Sequence, residues 1–443
     1  MKKFPNAFVI MLGAILIAWI LTYVIPSGSY ARTFDPDTGR STVVAGSYAP
    51  EQAEAPGLLE LLRAVPEGLI SRADLIVLIL LIGGSFYVVE KSGALGEGLH
   101  LLVRLLAGKE SLALVVVSLL FMLAGMTIGL QEEIIAMAPV LIVFARSLGY
   151  NAFTALGQSY GSAVLGAAFS PMNPFAVIIA QSEAELPLMS GAPFRLGVLA
   201  AVFVLWNLYM LRYAKRNRVP REAIAGANGD MSPRSVVILV LLCLTFCLVT
   251  YGLVAWEWGF NELSACFFAM GLLVGLIGKM GLNGTGEAFS EGFREMIFAG
   301  VIIGLAGSIT LLLEQGKVID TIVYGMFTPM EGLHSGLSAL GMFMGQAVLH
   351  LPVPSYSGQA ILTMPILTPL SDLAGVSRQV CVLAYQYGAV NMDMVFPTNG
   401  ALMGILAVAG IPFDKWFRFI WKPALLLMVL AGAAILLAVY TGV

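Results

Sequence analysis

The sequence predicts an all-α, polytopic integral membrane protein built from two inverted repeats, each holding a re-entrant hairpin and a broken helix. Three observations predict it. First, of 443 residues, 58% are hydrophobic and only 12% charged, with a mean hydropathy of +0.88. A soluble domain carries roughly 25% charged residues, so most of this chain belongs where charge is expensive. Second, apolar runs of bilayer-crossing length recur along the chain. Third, a set of short motifs recurs in one order across its two halves. A net charge of −3 offers no basic footprint for nucleic acid.

The elements follow in order. Lys2 and Lys3 precede an apolar run over 7–25. It exceeds the ~7–15-residue core of a signal peptide and suits a bilayer of about 30 Å, so it reads as an uncleaved first span. Further spanning runs cover 74–90, 194–213, 235–256, 262–280, 295–313 and 419–441. Two crossings, 152–182 and 378–410, are interrupted in the middle, and two apolar segments, 111–148 and 335–371, are divided by polar tips. Each limb of the latter pair is too short to span and suits a hairpin that enters and leaves on one side. Lys215, Arg216, Arg218 and Arg221 make the stretch after the 194–213 run cytoplasmic by the positive-inside rule. Counting from there puts the N-terminus inside, the 26–73 segment outside, the first hairpin entering from the cytoplasm, the second from outside, and the C-terminus outside.

The repeat rests on shared order. Gly84-Ser85 before Glu90 resembles Gly307-Ser308 before Glu314, and Pro139 and Gly149 recur as Pro365 and Gly375, each 226 positions on. Tyr160-Gly161 recurs as Tyr387-Gly388, and 169–173 resembles 396–399 with one deletion. The chain then divides into a first repeat over 1–214, a cytoplasmic linker and connecting helix over 215–258, and a second repeat over 259–443. The connecting crossing inverts the second copy relative to the first.

Broken helices free backbone N–H and C=O groups inside the membrane, and these persist only where they line a cavity or are buried in protein. Paired breaks and hairpins therefore point to a transporter site at the midplane. The first break reads Phe169-Ser170-Pro171-Met172-Asn173-Pro174, where two prolines prevent helix continuation and Ser170 and Asn173 offer polar atoms. The second, Phe396-Pro397-Thr398-Asn399-Gly400, repeats proline, hydroxyl and amide. Ser170, Pro171, Met172, Asn173, Thr398, Asn399 and Gly400, with Ser355 and Ser357 from the second tip, are the candidate substrate-binding residues. Each half-helix N-terminus beyond a break suits a carboxylate. Gln131, Glu132 and Glu133 at the first tip, with Asn391 and Asp393 before the second break, are candidates for a coupling ion, Na+ or H+, or for a substrate amine. His350 beside the second tip is a further polar candidate, though a lone histidine is more often a packed polar residue. No other metal and no organic cofactor is expected, and no Lys or Arg within the spans stands ready to clamp a second carboxylate.

Other patterns carry little. Gly157-Gln158-Ser159-Tyr160-Gly161 matches a hydrolase nucleophile motif, but it lies within a membrane helix without the strand-to-helix elbow that the motif requires. The four cysteines, Cys243, Cys247, Cys266 and Cys381, sit in apolar runs and suggest neither disulfide nor zinc. No phosphate-binding loop supports ATP-driven transport. A channel would need a continuous polar path, and an intramembrane enzyme a nucleophile paired with a base. Neither is evident.

At the 166–175 run Gly-Ala-Ala-Phe-Ser-Pro-Met-Asn-Pro-Phe, the Gln131-Glu132-Glu133 tip and the Phe-Pro-Thr-Asn-Gly break, the chain resembles the YfcC branch of the C4-dicarboxylate anaerobic carrier family, within the larger ion transporter superfamily. The resemblance covers nearly the whole chain. It implies an elevator-type transporter of a bacterial inner membrane, working as a homodimer in which hairpins and broken helices move against a scaffold. It also implies a small carboxylate-bearing substrate. The family name suggests a dicarboxylate, but Glu132, Glu133 and Asp393 would repel one, and members of the YfcC branch are suggested to carry basic amino acids. The reading that results is a cation-coupled or exchanging secondary transporter for an amino acid, basic ones included.

Overall fold

In the computed structural model, residues 7–35, 40–44, 46–105, 109–222, 231–256, 258–330 and 333–443 are described. Lys2, Lys3 and part of the linker at 223–230 lie outside them. Helix α1 (Ala7–Val24) leads into two short antiparallel ladders, β1 (Gly28–Ser29) with β4 (Ala49–Pro50) and β2 (Arg32–Asp35) with β3 (Arg40–Val43). The rest is helical. Among the described residues six helices are long and apolar enough to cross a membrane: α3 (Ala73–Lys91), α5 (Glu110–Ile128), α10 (Ala192–Arg216), α12 (Phe260–Ile277), α13 (Gly281–Gln315) and α19 (Phe413–Thr441).

The segment after the ladders carries an unforeseen helix, α2 (Leu58–Ser71). Its Leu61, Ala64 and Gly68 face inward against α13, while Leu58, Leu59 and Leu62 are exposed. Glu60, Arg63 and Glu67 mark one polar face, but with 14 residues and an internal Pro66 the helix is too short to stand out as a span. A second one, α4 (Ala94–Leu105), follows α3 and packs on α11 (Pro233–Ala255). Helix α13 extends well beyond the expected 295–313 run, because its polar N-terminal turns continue the helix unbroken from Gly281.

Helix pairs and interruptions occur in the segments singled out from the sequence, but the first limb of the first pair, α5, has 19 residues and is long enough to cross a membrane rather than too short to span as expected. Helices α5 and α6 (Ile134–Ser147) form the first hairpin, and Gly129 at φ +70° ends α5 as a left-handed cap. The next crossing runs through α7 (Ala152–Leu156), a π-helical turn (Gly157–Gly161) and α8 (Ser162–Ala168). After the break it resumes in a second π turn (Pro174–Ile178) and α9 (Ile179–Glu183). Helix α14 (Ile319–Phe327) leads to the second hairpin, α15 (Ser335–Leu349) and α16 (Tyr356–Leu373). Then come α17 (Arg378–Ala389), a 3₁₀ turn (Val390–Met394) and, beyond the break, α18 (Gly400–Val408). Caps define these starts: Asn151, Ser377 and Asn399 accept from the backbone N–H three residues on, the last from Leu402 at 2.7 Å.

Packing divides the helices into two groups. Helices α1, α2, α3 and α12 gather around α13, and the hairpins and interrupted helices pack on one another, α5 on α8 and α15 on α17. Helix α18 joins them by lying against α13.

Candidate functional site

Asp393 sits at the centre of the polar interior, 1% exposed, on the 3₁₀ turn where α17 loses its regular hydrogen bonding. Three elements converge on its carboxylate. Gln131 Nε2 of the first tip donates to Oδ2 at 3.0 Å, Asn399 Nδ2 of the second break donates to Oδ1 at 2.6 Å, and His350 Nε2 lies 2.7 Å from Oδ1. Tyr160, on the first π turn, donates to the Asp393 carbonyl at 3.0 Å. Sequence separations of up to 262 residues are closed in this one cluster.

On one side Asp393 borders a cavity of about 410 Å³. Its walls are the first tip (Gly129, Gln131, Glu132, Glu133), the second tip (Pro354, Ser355, Tyr356, Ser357) and the second break (Thr398, Asn399, Gly400). The α2–α3 corner adds Arg72 and Asp74, and Trp258, Phe260 and Leu263 supply an apolar face. A larger cavity of about 830 Å³ adjoins it, lined by the ladder segment, Glu314, Asp320 and α16 residues. Arg72 and Ser355 line both. In the larger cavity Arg32 pairs with Asp320 at 2.9 Å and Lys317 with Glu51. The guanidinium of Arg72 makes no hydrogen bond or ion pair among the described residues, and it acts electrostatically on Glu132.

The structure separates the predicted residues. Gln131, Glu132, Glu133, Ser355, Ser357, Asp393, Thr398, Asn399 and Gly400 share the cavity wall. Ser170, Pro171, Met172 and Asn173 do not line it, and their polar atoms are spent within the protein. Ser170 Oγ donates to the Met126 carbonyl at 2.7 Å and accepts from the Met172 and Asn173 amides. Asn173 Nδ2 donates to the Gly125 carbonyl at 2.7 Å, and its Oδ1 caps Phe175 and Ala176. The first break thus ties the first hairpin to its crossing helix, and the half-helix amides a carboxylate would need are already capped. Asn391 also stays off the wall, donating to the Tyr387 carbonyl at 2.7 Å, with Oδ1 buried and unpartnered.

Sequence reading missed Arg72, Arg195 and the glutamines behind His350. Arg72 lies at the end of an apolar-rich segment assigned to an outer loop, so nothing local marked it as facing a cavity. Arg195 is fully buried and donates to the Ser190 carbonyl, Gln379 Oε1 and Gln386 Oε1. Gln386 in turn donates to the carbonyls of Ala167 and Ser170 that the first break exposes. The motif at 157–161 is a buried π turn in which Ser159 donates to Ala155, as expected of helix packing rather than of a nucleophile. Among the described residues no group of three or more His, Cys, Asp and Glu is placed to hold a metal ion.

A helical membrane protein with a charged cavity between hairpin tips and a broken helix is, as a class, a multi-pass membrane transporter and not an enzyme. The family model for the C4-dicarboxylate anaerobic carriers (DcuC) matches residues 4–440, and the chain belongs to that family. An uncharacterized protein of Haemophilus influenzae is 31% identical over 98% of this chain and 96% of its own length. A protein of Escherichia coli K12, YfcC, provisionally named a basic amino acid antiporter, is 31% identical over 94% of this chain and 92% of its own length. Two solved transporter structures align over 99% of the chain: YdaH of Alcanivorax borkumensis, over 99% of its own length at TM-score 0.47 and 16% identity, and MtrF of Neisseria gonorrhoeae, described with a class of antimetabolite efflux pumps, over 96% of its own length at 0.45 and 17%.

Proposed function

We propose that this transporter is a secondary carrier of an amino acid, with a preference for basic ones, exchanging it or coupling it to a cation. The observation that carries the reading is opposed charge in one cavity: Arg72 on one wall, and Glu132, Glu133 and Asp393 on the others. A dicarboxylate would meet four acids, Asp74 among them, and one cation. A zwitterion with a cationic side chain instead meets Arg72 at its carboxylate and the acids at its amines, and charge-assisted bonds of this kind are the strong ones. The free backbone amides at the α18 N-terminus, at Gly400 and Ala401 on the cavity wall, add a second carboxylate-friendly feature. The name of the YfcC relative agrees in substrate class and in exchange.

The finer mechanism is proposed on the same footing. The two packing groups supply a scaffold around α13 and a moving unit of hairpins and broken helices, which supports two inverted repeats, an elevator movement and a homodimer joined through the scaffold. Basic residues after α10 support a cytoplasmic linker, an N-terminus inside, a C-terminus outside and an inner-membrane location. No sodium ligand is assigned, and Ser170, Pro171, Met172, Asn173 and Asn391 take supporting places behind the site.

The test is uptake of labelled arginine, lysine and succinate into proteoliposomes. Arginine or lysine uptake is expected, reduced at least about tenfold in Glu132→Gln and Asp393→Asn, as loss of one charge-assisted contact of about 1.5–3 kcal/mol requires. Arg72→Gln is expected to raise KM with little change in the selection of basic side chains. Succinate uptake that survives Asp393→Asn while arginine is ignored would overturn the reading in favour of a dicarboxylate carrier. Single-channel current in a planar bilayer would overturn it in favour of a channel.

A further inference from the structure

His350 is fully buried at the C-terminal end of α15, behind Asp393 as seen from the cavity. Its ring is held between two partners, and the hydrogen-bond directions around it can be read in only one way. Thr363 Oγ1 donates to the Gln359 carbonyl at 2.7 Å, so it accepts from Gln346 Nε2, also at 2.7 Å. Gln346 Oε1 therefore faces Gln359, whose Nε2 donates both to it and to the Gln346 carbonyl at 2.8 Å. With its amide nitrogen committed, Gln359 turns Oε1 toward His350 Nδ1 at 2.9 Å. Reversing this amide would set its oxygen against two acceptors. Nδ1 consequently carries a hydrogen, and the remaining ring nitrogen, Nε2, meets Asp393 Oδ1 at 2.7 Å.

Two lone pairs cannot face each other at that distance, so a proton lies between Nε2 and Oδ1. Asp393 already accepts from Asn399 and Gln131, and the Asn399 amide is fixed in orientation because its Oδ1 caps Leu402. Both Asp393 oxygens are thus already acceptors of amide N–H bonds, and the shared proton is placed on the ring nitrogen that faces them. The charged and titratable groups facing the pair are Glu132 and Glu133 from the first tip, Tyr160 from the first crossing, Tyr356 and Tyr385 from α16 and α17, and Arg72 across the cavity.

We propose that His350 and Asp393 bind one exchangeable proton between them, and that this proton latches the second hairpin to the second broken helix until a cationic substrate group replaces it at Asp393. The replacement balances. The Nε2–H bond breaks, its electron pair stays on the imidazole, and the proton leaves past Asp393 to cavity water while the substrate cation takes over the carboxylate charge. With the proton gone, Nε2 and Oδ1 repel and the contact between α15 and the 3₁₀ turn opens. One proton is released for each cation bound, which is the stoichiometry of exchange. The proton site stands on the hydrogen-bond chain alone, whereas its displacement rests on the amino-acid reading above.

The experiment separates the two. The chain has three histidines, so His100→Asn with His334→Asn leaves His350 as the one imidazole. Its ¹⁵N spectrum in lipid at pH 7.5 is expected to show both ring nitrogens protonated, and Asp393→Asn on that background is expected to return a neutral ring. A neutral ring with a bare Nε2 in the parent, or a doubly protonated ring that persists without Asp393, would overturn the proton site. In parallel, arginine is added to the purified, weakly buffered protein with a pH-indicator dye. About one proton released per arginine bound, and none in His350→Gln, supports the latch, and arginine binding without release overturns it. If no amino acid binds at all, the amino-acid reading fails and the spectrum still decides the proton site.

Discussion

At the residue scale, the polar atoms that were hardest to place from sequence are those that meet each other. Arg195 lies outside every predicted motif, yet it holds Gln386, and Gln386 holds the carbonyls the first break sets free. Arg195→Met keeps the length of the side chain and strands the acceptors on Ser190, Gln379 and Gln386. Each orphaned buried group costs about 1–3 kcal/mol, so a drop of several degrees in the thermal midpoint of the purified protein is expected. An unchanged midpoint would mean the guanidinium is not holding these groups. Outside the membrane-spanning part, hydrogen bonds from Lys317 and then Ser29 hold the Glu51 carboxyl below its usual range. A depressed carboxylate contributes stability above its ordinary value and loses it as pH falls through the folded one. Lys317→Gln should therefore lower the thermal midpoint slightly at pH 7, with the difference from the parent vanishing toward acid pH. The effect is small, since exposed pairs contribute little. A difference that grows on acidification would contradict the assignment.

At the element scale, the first hairpin and the first crossing touch through backbone. A Cβ on Gly125 would stand 2.0 Å from the Ala163 carbonyl oxygen, and one on Gly166 would stand 2.0 Å from that of Met122. Helices α5 and α8 can approach this closely only where side chains are missing, in the manner of small-residue contacts in membrane helices. Gly125→Ala and Gly166→Ala are each expected to cost about 1–3 kcal/mol by overpacking, read as a lowered thermal midpoint. Gly13→Ala, whose added methyl meets nothing within 4 Å, serves as the neutral control. Equal midpoints in all three would remove close approach as the reason for those glycines. The 166–175 run was legible as the most specific stretch of the chain. That its serine and asparagine would turn to the first hairpin, to Met126 and Gly125, was not, since a proline-rich break advertises free backbone without saying what satisfies it.

At the scale of the whole molecule, two chambers meet at Arg72 and Ser355. The orientation proposed above, with the ladder segment outside, would open the site to the outer face. On a background lacking the four native cysteines, Ser355→Cys should react with a membrane-impermeant thiol reagent added outside, and bound substrate should slow it. Labelling from the cytoplasmic side alone would reverse the proposed orientation. The sequence by itself determined the membrane class, the two hairpins, the two interrupted crossings and the acids at Glu132, Glu133 and Asp393. These follow from local properties: low charge, run length, and prolines that no helix can pass. Tertiary structure alone decided which polar groups share a wall. It sent Ser170 and Asn173 inward to bind backbone, brought Arg72 from an apparent outer loop to face the acids, and set His350 behind Asp393. Such choices depend on where distant helices cross. A buried charge or amide takes its role from the partner that packing brings within about 3 Å, and that partner lies anywhere from 43 residues away, as for His350 and Asp393, to 262, as for Gln131 and Asp393.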